Sequence, residues 1–85
     1  MTLHTRLADA LAIHHAEVKE WDQQRALLRA EIERRKGAQL YAPSTENRKR
    51  LRVAWLELRQ HGDRPVESIA IGMLRGRIAR QEGLS

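Results

Sequence analysis

The positions Leu7, Leu11, His14, Val18, Trp21, Arg25, Leu28, Ile32 and Arg35 step by alternating fours and threes. This is the spacing of a narrow heptad seam on one face of a helix, and no stretch of the chain alternates with the period of a strand. The pattern predicts one helix over about 5–36. At 1.5 Å per residue such a helix runs on the order of 48 Å, more than a compact domain of this size needs, so it calls for a partner along its length. Arg34, Arg35 and Lys36 fall in its expected last turn, where cations complement the helix dipole, and Gly37 is suited to the left-handed stop position.

Residues 38–44 read as a connector containing Tyr41 and Pro43, with Ser44 or Thr45 capping a second helix over 45–61 and Glu46 in its first turn. Leu51, Ala54, Trp55 and Leu58 make one apolar face of that helix, and Val53 and Leu56 make another. Gly62 ends it. Asp63 is placed to cap a third helix over 64–82, and Pro65 fits the first turn of that helix. This helix is two-faced as well, with Val66, Ile69, Ala70 and Met73 on one stripe and Ile71, Leu74 and Ile78 on the other. Between them Ser68, Gly72, Gly76 and Ala79 form a strip of small residues. Interior glycines cost a helix about 1 kcal/mol each relative to alanine, so Gly72 and Gly76 imply close approach of another helix or a ligand. The tail 83–85 is expected to fray.

The expected fold is therefore all-α. A long N-terminal helix forms an antiparallel hairpin with the second helix, and a third, C-terminal helix completes a small bundle over 1–85 as one domain. Surplus apolar faces favour a homodimer. Trp21 and Trp55 fall on apolar faces, as core anchors or, with Gly72 and Gly76, as a partner interface.

Composition narrows the function. The 85 residues carry 16 Lys and Arg against 11 Asp and Glu, a formal net charge of +5, and no cysteine. A chain this short has room for one small core and little for an enclosed enzyme pocket. Without cysteine there is no disulfide framework, thiolate metal site or thiol nucleophile, and a reducing cytoplasm is the expected location. No apolar run approaches the roughly 20 residues of a membrane span, and the N-terminus lacks the pattern of a signal peptide.

Charge placement is more informative than the total. The first 36 residues hold seven Lys and Arg against six Asp and Glu, and the remaining 49 hold nine against five. A short connector turns the first two helices antiparallel, which gathers Arg34, Arg35 and Lys36 beside Arg48, Lys49, Arg50 and Arg52 at one pole. Lys and Arg clusters release counterions on binding phosphates, and this pole is the expected site for nucleic acid or for an acidic protein surface. Seven working cations would give a log–log salt slope on the order of −5 to −6 on duplex DNA. Arg75, Arg77 and Arg80 form a secondary basic group, with Arg75 and Arg77 on different sides of their helix. The turn from Leu58 through Gly62 to Ile71 compares with a helix-turn-helix only in part, because the third helix is apolar on two sides where a recognition helix should be polar.

Catalytic chemistry finds no support in the pattern. No phosphate-binding glycine loop, nucleophile elbow or carboxylate pair occurs. His14 and His15 are adjacent and diverge on a helix, whereas a chelating pair is separated by three or four positions; His4 and His61 are isolated. His14, within the seam, reads as a polar residue that fixes register. No enzyme activity, cofactor, metal or membrane association is expected. The expected function is a nucleic-acid-binding regulator or accessory factor. The alternative is a protein-binding adaptor or inhibitor of the kind that phages and mobile elements carry, docking on a larger protein such as nucleic-acid machinery.

Overall fold

A computed structural model describes residues 2–84. The chain is all-helical, with α1 at Leu3–Tyr41, α2 at Thr45–Gln60 and α3 at Ile69–Leu84. It divides into two compact units, one of Met1–Glu20 with Pro65–Ser85 and one of Trp21–Arg64. The long helix α1 contributes its first half to one unit and its second half to the other.

Every seam position from Leu7 to Arg35 is buried or half-buried, as the heptad spacing requires. The helix does not stop at Gly37, however. It continues to Tyr41, and Gly62 is the only described glycine with a positive φ. Two features set the true end. Pro43 disfavours helical geometry at the residue before it. The Asn47 side-chain amide then donates to the carbonyls of Ala42 (2.8 Å) and Ala38 (3.5 Å), so α2 caps the last turn of α1. Arg34, Arg35 and Lys36 accordingly lie before the last turn, which holds no basic residue.

In the 21–64 unit, α2 runs antiparallel to the second half of α1. Ser44 caps α2, its hydroxyl accepting from the Asn47 backbone N–H at 3.0 Å. Ser44→Ala is expected to lower stability by about 1 kcal/mol in urea unfolding; an unchanged midpoint would show that the cap contributes nothing. At the other end, His61 donates from Nε2 to the Trp21 carbonyl (3.1 Å) and stacks on the Trp21 ring (centroids 4.6 Å apart), and Arg64 pairs with Asp22 at 3.2 Å. Gly62, at φ 78°, supplies the left-handed turn after the helix. The core of this unit is Ile32 and Ala54, flanked by half-buried Leu28, Leu51 and Leu58.

In the other unit, α3 runs antiparallel to the first half of α1, with His4 paired to Glu82 at 3.5 Å. Ile71, Leu74 and Ile78 are its buried residues. Residues 61–68 are not helical, so the third helix begins at Ile69 rather than near Arg64. Ser68 is the residue that starts it: the Ile71 N–H bonds both its carbonyl (3.1 Å) and its hydroxyl (3.4 Å). Asp63 therefore caps nothing, and Val66 lies outside the helix, 85% exposed. The eight residues between α2 and α3 also exceed the roughly three to four of a helix-turn-helix turn. Gly83 is still helical, and Ser85 lies outside the described residues. No helix among the described residues is long and apolar enough to cross a membrane.

Candidate nucleic-acid interface

The two units divide the charge completely. Residues 21–64 hold eleven Lys and Arg against six Asp and Glu, whereas residues 1–20 with 65–85 hold five against five. The whole net charge of +5 therefore belongs to the α1–α2 hairpin.

Within that hairpin the expected pole separates into two parts. Arg35, Lys49 and Arg50 do converge, around a hollow of about 240 Å³, but Glu31, Glu46 and Glu57 line it too. Arg34 and Arg35 both pair with Glu31, the latter at 2.7 Å, while Lys36 pairs with Glu33 at 3.2 Å and Arg50 with Glu46 at 3.3 Å. Pairs at or near the surface contribute roughly 0–1 kcal/mol of stability each, but they reduce the positive potential that the cations present to a ligand. Arg34, Arg35, Lys36 and Arg50 are thus largely answered from within the hairpin, by acids three or four positions away.

Arg48, Lys49 and Arg52 are different. All three are exposed and none has an ion pair among the described residues, although Lys49 lines the same hollow as Glu31, Glu46 and Glu57. Arg48 and Arg52 are four apart and Arg59 lies seven beyond Arg52, so the three arginines share one stripe of α2 with Lys49 beside it. The three arginines point away from Ala54, the residue that α2 buries against α1, whereas Lys49 lines one hollow with it. Arg59 was not among the cations expected from the sequence, although its spacing from Arg52 carries the signal. Like charges three and four apart on a helix cost a few tenths of a kcal/mol, a cost that a bound polyanion removes.

Trp55 borders the stripe. It is 47% exposed and lies at the margin of the hairpin instead of within its core, with the Lys36 ammonium 5.2 Å from its ring centroid. Trp21, by contrast, is turned inward onto His61, with Arg25 over its ring at 5.2 Å and its Nε1 buried without a hydrogen-bond partner. Gly72 meets nothing within 4 Å of where a Cβ would stand, and Gly76 meets only the Arg80 guanidinium at 3.9 Å, so the small strip of α3 is open. The secondary basic group does not converge: Arg75 pairs with Glu67, and Arg80 donates to the Gly76 carbonyl at 3.4 Å. His14 is half-buried in the seam beside Glu17. Among the described residues no group of three His, Asp or Glu side chains is placed to hold a metal ion.

Comparison with protein-family models, with curated proteins and with solved structures finds no match to this chain.

Proposed function

We propose that this chain is a small non-enzymatic nucleic-acid-binding protein, a regulator or accessory factor, whose α2 stripe of Arg48, Lys49, Arg52 and Arg59 neutralises phosphates. The carrying observation is that the net charge resides entirely in the 21–64 unit, where these exposed cations form no ion pair among the described residues. A cation without an internal partner is free to displace counterions from a phosphate backbone, which is the main source of affinity in sequence-independent binding. A mobility shift with DNA and RNA at low salt tests the proposal. Retarded complexes are expected, and none with either nucleic acid would overturn it.

The neutral unit has a different task in this proposal: it joins two copies. Ile13, Val66, Ile69 and Met73 are 63%, 85%, 83% and 56% exposed. Ile13 and Val66 line one hollow, and Ile69 and Met73 follow along the outer face of α3. Together they expose apolar area on the order of 500 Å², the size of the largest patch on an ordinary monomer, which often serves an interaction. A standard interface takes about 800 Å² per partner, and the strip of Ser68, Gly72, Gly76 and Ala79 beside the patch would add to the area buried. A second copy suits this face because the unit has no net charge to repel its own image. In sedimentation equilibrium a mass twice the 9.8 kDa of one chain is expected, falling to one chain for Ile69→Glu with Met73→Glu. A native mass of one chain at tens of micromolar would refute the dimer.

A further inference from the structure

We propose that Trp55 stacks on unpaired bases, so that single-stranded nucleic acid is the ligand of the α2 face; this rests on the reading of the stripe as a phosphate-binding surface. Trp55 lies between Arg52 and Arg59, which are about 10.5 Å apart along the helix axis at 1.5 Å per residue. The three side chains, with Leu56, line one hollow of about 320 Å³. On its other side the indole borders a second hollow of about 400 Å³ with Arg29, Ile32, Glu33 and Leu58. An aromatic ring is therefore accessible in the middle of a row of cations, with the Lys36 ammonium also within cation–π range of it.

A base on the indole and the flanking phosphates on Arg52 and Arg59 would run a strand along α2. This combination of a cationic track with an aromatic platform is how sequence-tolerant single-strand binding arises, since every base offers a π-face. A duplex fits the surface less well. Its bases are already stacked on one another, and an indole reaches them only by prising a step open. Arginines can read guanine edges in a groove, but Trp55 and Leu56, 47% and 44% exposed, present largely apolar surface between Arg52 and Arg59, where further edge contacts would fall. Leu56 and the indole would instead lose water against the faces of bases.

The test is a fluorescence titration of the full chain at low salt with oligo(dT), with a duplex of equal length and with poly-glutamate. Oligo(dT) is expected to bind more tightly than the duplex and to quench indole emission in the native chain but not in Trp55→Phe. Trp55→Ala is expected to weaken oligo(dT) binding by roughly 5- to 150-fold while changing duplex binding little, and Trp55→Phe to recover most of the loss. Trp55→Phe also decides the matter if circular dichroism shows that the alanine variant has lost helix. Binding of oligo(dT) with unaltered emission, or tighter binding of the duplex, would overturn the stacking inference and leave the phosphate reading standing. Binding of neither nucleic acid would overturn both. Quenching by poly-glutamate alone would also overturn both and identify an acidic polypeptide as the partner.

Discussion

Replacing Arg48, Lys49 and Arg52 together by glutamate is expected to weaken oligonucleotide binding at physiological salt by at least about a hundredfold. These three supply most of the cations on α2 that no acid answers, and reversal converts phosphate attraction into repulsion. The helix itself should survive. All three side chains are exposed, and surface substitutions of this kind usually change stability by no more than about 0.5 kcal/mol each. Replacing Arg6, Lys19 and Arg77 by glutamate, all exposed in the neutral unit, makes the same change of six charges and is the matched control, which should change affinity little. Equal loss in the control would mean that total charge, and not the α2 stripe, governs binding. Binding unchanged in the triple variant would remove the stripe from the account.

The second large effect concerns stability. Ile32 is 2% exposed and lies on the α1 seam where it meets α2, whereas Leu27, on the same helix, is 72% exposed. Ile32→Ala should cost about 2–5 kcal/mol through lost burial and the cavity left behind. Leu27→Ala should stay within about 0.5 kcal/mol. A small chain has little stability to lose, so the first substitution should be visible as partial unfolding near room temperature, and urea denaturation followed by circular dichroism separates the two. Similar midpoints for both variants would contradict the packing described for α1 and α2.

Ile32 and Leu27 also show what the sequence makes legible. Seam spacing places Ile32 inward and leaves Leu27 off the seam, and the whole face from Leu7 to Arg35 follows the same rule. Ser44 and Gly62 perform the local roles their residue types suggest, because a cap and a left-handed turn depend on atoms a few positions away. The ends of α1 and α3 were harder to read. Gly37 resembles a stop, but α1 passes through it and is capped by Asn47 from the next helix, a tertiary contact that no local pattern announces. Likewise Asp63 and Pro65 resemble a helix start, yet Ser68 performs that function and leaves Val66 outside the helix.

The candidate site is legible in composition, but its extent depends on which cations the nearby acids pair with. A sequence count of cations at the hairpin pole treats Arg34, Arg35, Lys36 and Arg50 as equal to Arg48, Lys49 and Arg52. Glu31, Glu33 and Glu46 remove that equality, and their spacing of three or four from the cations they pair with was available in the sequence. Arg59 joins the stripe by the same helical arithmetic. The exposure of Trp55 was not available, since an apolar face does not reveal how far its partner helix covers it.

The central claim is that phosphates are met by the unpaired cations of α2 and not by the whole basic pole. Its most direct test is the dependence of oligonucleotide affinity on salt between 50 and 200 mM for the full chain. Four working cations predict a log–log slope of about −3 on single strands and about −3.5 on a duplex. A slope near zero, or no binding at 50 mM salt, would contradict the claim. A slope near −6 on duplex would show that the paired cations contribute as well.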